Sequence, residues 1–327
     1  VNVSPTREAA QACPPPATAP AASPRLPTSS RRLIVGGLLL AALGAVAASG
    51  KAVIVKLAYR HGVDATTLLA LRMLVAFPFF VAMGAWAARR AAPLARRDLW
   101  HVAVLGFSGY YLSSYLDFLG LKYITATLER LILYLSPTLV VLIALLVLKQ
   151  RPSRRQLVAL VVSYLGVLLA FGHDIRIDGH RTAIGALLVF ASALSYAIYL
   201  FGSGQVVGRI GAVRLTAYAS GVACVLCVGQ YLLLQPVAAL WGHAPPVYWL
   251  SLLNGTVCTV LPVLAIMVGV KRIGSALAAQ VSMLGPVSTI VLSVWLLDEP
   301  MGPWQAAGTL LVLGGVLVVG SGAAKKA

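Results

Sequence analysis

Long apolar runs separated by short polar breaks dominate the chain. Runs long enough to cross a hydrocarbon core of about 30 Å fall near 33–58, 66–88, 99–121, 123–148, 155–172, 183–203, 212–235, 247–270, 273–297 and 303–321. They show no period-two alternation, so helices that satisfy their own backbones are predicted rather than strands. The pattern therefore predicts an all-α integral membrane protein of ten transmembrane helices.

Residues 1–30 lack such a run. They are rich in Pro, Ala, Ser and Thr, with Pro14, Pro15 and Pro16 in a row, and are expected to form a disordered cytoplasmic tail. Arg31-Arg32 followed by Leu33 to Ala48 has the form of a secretory signal, with small residues at Ala45 and Ala47. Retention is expected instead, because an apolar segment in the same position opens the second half of the chain.

An internal repeat organises the rest. Gly120-Leu-Lys-Tyr-Ile-Thr-Ala-Thr-Leu128 matches Gly269-Val-Lys-Arg-Ile-Gly-Ser-Ala-Leu277, and Leu-x-Pro follows both at one spacing, as Leu135-Ser136-Pro137 and Leu284-Gly285-Pro286. The register continues to Gly166-Val167-Leu168 against Gly315-Val316-Leu317. An odd number of helices separates the copies, so they face opposite sides of the membrane, as inverted repeats around a central cavity do in transporters. The expected division is a first five-helix repeat over 31–178, a second over 179–322, and a cytoplasmic tail over 323–327.

Composition agrees with the pattern. Hydrophobic residues make up 59% of the chain and charged residues 11%, too few to clothe a water-soluble core of this size. The formal net charge of +17 raises nucleic acid as a partner, but its distribution argues against one. Basic residues form short blocks between apolar runs: Arg89, Arg90, Arg96 and Arg97; Lys149, Arg151, Arg154 and Arg155; Lys271 and Arg272; Lys325 and Lys326. Such blocks mark cytoplasmic loops, and their alternation predicts both termini inside. The opposite segments hold only Arg60, Lys122, Arg176 and Arg181, and Gln235 to Val247 has no Lys or Arg. No metal or cofactor is expected. Cys224 and Cys227 lie inside an apolar run without further ligands and read as packing residues.

Asp64-Ala-Thr-Thr-Leu-Leu-Ala-Leu-Arg72 resembles the start of the second helix in the EamA family of the drug/metabolite transporter superfamily. The Gly120-Leu-Lys-Tyr segment with Leu135-Ser-Pro137, and Leu296-Leu-Asp-Glu-Pro300, resemble that family's repeat signatures. The resemblance covers residues 33 to 321. It implies ten helices in an inverted five-plus-five arrangement in the bacterial inner membrane, and frequently export of amino acids or related metabolites, here of the aromatic amino-acid type. Glu129-Arg130 stands where relatives usually carry small or apolar residues.

Charge at a helix centre costs at least about 2.5–3.5 kcal/mol, so such residues face a cavity or a partner. Lys56 and Asp117, near outer helix ends, and Arg72 are expected to be structural charge partners. Glu129 and Arg130 are adjacent, point about 100° apart on a helix, and cannot pair well with each other. With Lys51 they are the charged cavity candidates. A zwitterionic amino acid needs an acceptor for its ammonium, a donor for its carboxylate and an apolar or aromatic wall. Tyr111, Tyr115, Tyr196, Tyr199, Asn254 and Gln280 are the remaining candidates, with Tyr110, Ser114, Ser195, Thr256, Thr259 and Ser282 as further lining. Pro137 and Pro286 each remove a backbone hydrogen bond within a helix and are the hinge candidates. Gly37, Ala41, Ala45 and Ser49 form a small-residue stripe suited to close packing.

No Gly-rich phosphate-binding loop of the G-x-x-x-x-G-K-[ST] form occurs, so ATP-driven pumping of that kind is excluded. Five scattered histidines, His61, His101, His173, His180 and His243, speak against a membrane-embedded lipid-modifying enzyme. The alternative solute class is an organic phosphate or nucleotide sugar, because Lys51, Lys56, Arg72 and Arg130 offer cations to a phosphate.

Overall fold

The computed structural model describes residues 28–89, 93–148, 180–266, 284–299 and 301–324, with scattered residues between 154 and 169 and between 268 and 281. Among the described residues six helices are long and apolar enough to cross a membrane: Ile34–Tyr59, Ala65–Ala88, Ala126–Val147, His180–Ile210, Ala212–Leu234 and Pro245–Ile266. They follow the apolar runs closely. The run 155–172 and the first part of 273–297 lie largely outside the described residues.

The first helix, α1 (Thr28–Tyr59), is followed by α2 (Ala65–Ala88) after a turn at Gly62, whose φ of 76° suits glycine. Asp64 caps α2: Oδ2 accepts from Thr66 N (2.9 Å) and Thr67 N (3.1 Å), and Oδ1 from the Thr67 hydroxyl. Partial burial works against the Asp64 charge, but the hydrogen bonds from Thr67 and Thr66 outweigh it and hold the carboxyl below its ordinary range.

The run 99–121 is not one regular helix. It comprises α3 (Arg96–Gly106), a π-helical turn at Phe107–Leu112, and α4 (Ser113–Gly120). The run 247–270 breaks in the same way, with α9 (Pro245–Gly255) entering a π-helical turn at Thr256–Val260. Between them lie α5 (Ala126–Leu133), α6 (Ser136–Leu148), α7 (His180–Ile210) and α8 (Ala212–Leu234). The chain closes with α10 (Leu284–Leu297) and α11 (Pro303–Ala324).

Each π turn begins after a glycine that lets another helix come close. A Cβ on Gly106 would stand 2.6 Å from Ala219 O and 2.9 Å from Val222 Cβ of α8. One on Gly255 would stand 2.9 Å from Arg72 O and 2.8 Å from Val75 Cβ of α2. Hydroxyls take carbonyls around the turns: Thr259 Oγ1 donates to Asn254 O (2.7 Å), and Ser195 Oγ of α7 to Ser108 O (2.7 Å).

At the centre α2 packs along α8, while α1 packs on α9 and α10 and α7 on α4, α5 and α6. The small-residue stripe of α1 makes its contacts possible. Ala41, Ala45 and Ser49 are buried, and Ser49 Oγ donates to Gly285 O at 2.7 Å. Between α8 and α9 the 3₁₀ turn Val237–Trp241 folds inward, and its Leu240 packs with Ala70 and Tyr231, secured by Tyr248 Oη donating to Leu240 O (2.8 Å).

Candidate functional site

The first turn of α5 positions the charged residues. Thr125 caps it through Leu128 N (3.1 Å), and Glu299, from the loop after α10, accepts from Ala126 N (2.8 Å), Thr127 N (3.3 Å) and Thr127 Oγ1 (3.2 Å). A carboxylate there meets the positive end of the helix. Asp298, with left-handed backbone (φ 55°), immediately precedes Glu299. Asp tolerates that conformation better than most residues.

One turn further along α5, Glu129 meets Lys51 of another helix, with Arg130 beside it. Lys51 Nζ of α1 lies 2.6 Å from Asp117 Oδ2 of α4 and 3.6 Å from Glu129 Oε1. Arg130 Nε is 3.8 Å from Glu129 Oε2, too far for a hydrogen bond. Glu129 is fully buried, whereas the Lys51 and Arg130 side chains are 19% and 14% exposed. Both Glu129 oxygens, Asp117 Oδ1, and Arg130 Nε and Nη2 have no hydrogen-bond partner. Buried polar atoms left so are costly, about 1–3 kcal/mol each. Two carboxylates and two cations thus converge with several polar atoms left without a hydrogen-bond partner.

Above this cluster, toward the helix ends, lies a cavity of about 380 Å³ bordered by Lys56, Tyr59, Arg60, Lys122, Thr125 and Glu299. Lys56, Leu121 and Thr125 stand five, four and four residues, about 6–7.5 Å along the helix axes, from Lys51, Asp117 and Glu129, at the near ends of α1, α4 and α5. The cavity therefore lies on the helix-end side of the charged cluster, none of whose four residues is among its described lining. Arg60 is tied to Leu297 O (2.9 Å), and Lys122 Nζ stands 5.8 Å from the centre of the Tyr59 ring.

Asp117, expected among structural partners near an outer end, belongs to the same cluster as Lys51 and Glu129. Among the described residues no carboxylate lies within ion-pair distance of Arg72, so the pairing expected for it is replaced. Its Nε donates to Thr259 Oγ1 (2.9 Å), and its guanidinium lies 5.3 Å from the centre of the Phe118 ring. Arg72 Nη1 and both amide atoms of the fully buried Asn254 lack partners. They form a second polar group where α2 crosses α9.

The tyrosines divide. Tyr199 and Tyr110 are joined at 3.2 Å between hydroxyls, Tyr196 stacks on Tyr199, and a Cβ on Gly109 would collide with the Tyr199 ring. These three pack with Val102, Leu105 and Leu215 rather than with the charged cluster. Tyr111 and Tyr115 are stacked at 6.4 Å and only partly buried. Ser136 Oγ donates to Leu133 O at 2.6 Å, the carbonyl that Pro137 cannot serve because proline has no N–H. The Pro137 and Pro286 side chains and all of Gln280 lie outside the described residues. Glu299 was visible in the sequence as part of Leu296-Leu-Asp-Glu-Pro300, but its role as a cap needed the fold.

A bundle of apolar, membrane-length helices carrying a buried charged cluster defines a multi-pass membrane protein. The chain belongs to the EamA-like transporter family, whose model matches it twice, over residues 35–172 and 183–321. It is therefore a transporter and not an enzyme. It is similar to the uncharacterized transporter YcbK of Bacillus subtilis, 31% identical over 90% of this chain and 94% of that one. An uncharacterized transporter of Archaeoglobus fulgidus is 26% identical over 85% of this chain and 95% of its own length. A solved crystal structure superposes with a TM-score of 0.59 at 18% identity, covering 88% of this chain and 97% of the other, which shows the shared fold alone.

Proposed function

We propose that the chain exports amino acids or related small metabolites by alternating access, with Lys51, Asp117, Glu129 and Arg130 receiving the polar end of the solute. The observation that carries this reading is the buried cluster of two carboxylates and two cations with unfilled hydrogen-bonding atoms, about a helical turn from a cavity at the helix ends. Glu129 and Asp117 suit an ammonium, Arg130 and Lys51 suit a carboxylate, and Tyr111 with Tyr115 supplies an aromatic wall.

The moving parts in this proposal are two inverted five-helix halves, 31–178 and 179–322, making ten helices. Supporting them are the two family-model matches, the two π turns, and the paired crossings of Gly106 on α8 and Gly255 on α2. The positions of the basic blocks support an inner-membrane orientation with both termini cytoplasmic.

One observation favours a second solute class. Among the described lining residues of the cavity are three cations, Lys56, Arg60 and Lys122, and a single carboxylate, Glu299, that is already engaged by α5. That surplus suits an organic phosphate or nucleotide sugar. Proteoliposomes loaded with labelled amino acids or with labelled phosphorylated solutes, with and without a pH gradient, separate the two. Efflux of amino acids alone is expected; exchange of phosphorylated solutes alone would replace the first reading with the second.

A further inference from the structure

Away from the charged cluster, α2, α3 and α8 border an apolar groove of about 940 Å³. Phe77, Val81, Leu99 and Val225 line it and are substantially exposed, so it opens sideways. Among its described lining residues Arg214 is the only charged one. Arg214 is 8% exposed, its Nε has no hydrogen-bond partner, and its Cζ lies 5.8 Å from the centre of the Tyr218 ring. It sits in the first turn of α8, at the end of the bundle that also carries Arg89, Arg96, Arg97 and Arg209. Asp98, bonded to Arg209 at 2.9 Å, offsets only one of these charges.

We infer that this groove holds one acyl chain of an anionic phospholipid, with Arg214 on its phosphate. The dimensions agree. From Arg214 to Leu226 the lining of α8 runs about 18 Å along the helix, close to one leaflet's share of a hydrocarbon core of about 30 Å. A chain entering beside Arg214 would therefore end near mid-membrane. The guanidinium provides a planar donor set for phosphate oxygens, and the surrounding surplus of arginines favours a headgroup with net negative charge.

Ala217 and Tyr218 line the groove against Gly84, where the Tyr218 ring stands 3.1 Å from the position a Cβ on Gly84 would take.

The test is native mass spectrometry of the purified full chain incubated with equal amounts of phosphatidylglycerol and phosphatidylcholine. Wild type is expected to retain phosphatidylglycerol at least about fivefold over phosphatidylcholine, the ratio that about one kcal/mol from a single arginine gives. Arg214→Gln should bring the ratio near unity, and Arg214→Lys should restore part of it. Gly221→Leu places a side chain where a Cβ meets nothing within 4 Å, and should lower retention of both lipids. Equal retention by wild type, or a preference that survives Arg214→Gln in protein with unchanged thermal unfolding, overturns the inference. If Arg214→Gln does not fold, Gly221→Leu decides: undiminished retention of phosphatidylglycerol by that variant overturns it as well.

Discussion

Residues 106–112 and 255–260 pass through matching backbone events, and the sequences that follow them to 137 and 286 carry different chemistry. Gly106 and Gly255 each admit a crossing helix, and each is followed by a π-helical turn. In the same register the first stretch places Asp117, Glu129 and Arg130 where the second has Ile266, Ala278 and Ala279. Of the helices that meet the first stretch, α1 brings Lys51, while α7, which packs along it, has no Lys, Arg, Asp or Glu from Thr182 to Gly208. The frame therefore does not require the charges. Burying them costs stability that an apolar set would not.

The largest expected effect tests whether those charges act as one compensated unit. Lys51→Met removes the ammonium shared by Asp117 and Glu129 and should destabilise the protein by about 3–5 kcal/mol, as loss of one partner from a buried pair does. Lys51→Met combined with Asp117→Asn should recover much of that loss. Thermal unfolding in detergent measures both, and a neutral Lys51→Met would show that water already compensates the carboxylates.

The matched frame is tested at its glycines. Gly106→Ala and Gly255→Ala each force a methyl group against a backbone carbonyl and a valine of the crossing helix, and each should cost about 1–3 kcal/mol. Similar losses in the two variants sharpen the equivalence of the crossings. A loss in one alone would break it.

Function is expected to divide where the frame does not. Glu129→Gln and Arg130→Gln should leave monodispersity near wild type while lowering solute flux at least tenfold, equivalent to about 1.4 kcal/mol. Two variants that transport normally, or two that fail to fold, would assign these residues to structure.

The smallest effect concerns Asp64. Because its folded carboxyl is held below the ordinary range, its contribution to stability is complete above the unfolded aspartate pKa of about 3.9 and is lost as pH falls through the lower folded value. The stability advantage of wild type over Asp64→Ala should therefore be constant near neutrality and shrink in acid. An advantage that persists unchanged below that range would show that the cap does not depend on charge.

Much of the fold was legible because membrane-length apolar runs have one economical solution, the helix. The run 66–88 and the helix Ala65–Ala88 agree to a residue, as do 212–235 and Ala212–Leu234. The π turns were not legible, because Phe107–Leu112 lies inside one membrane-length run and its Ser, Gly and Tyr residues suit a regular helix as well. Their trace was Gly106 and Gly255 at one register, a signal that acquires meaning only beside Ala219 and Arg72. Of the charged cluster, Glu129, Arg130 and Lys51 could be picked out by the cost of burial. Asp117 could not be joined to them, since a position near a helix end does not reveal which helix stands opposite.

Glu299 links distant parts of the chain in a way that bears on motion. It leaves the loop between α10 and α11, yet its carboxylate closes the first turn of α5. Any swing that draws these two apart must first strip a charged acceptor from three donors and return them to water. This end of the bundle is thus latched, with a release threshold set by the protein itself, before any solute arrives.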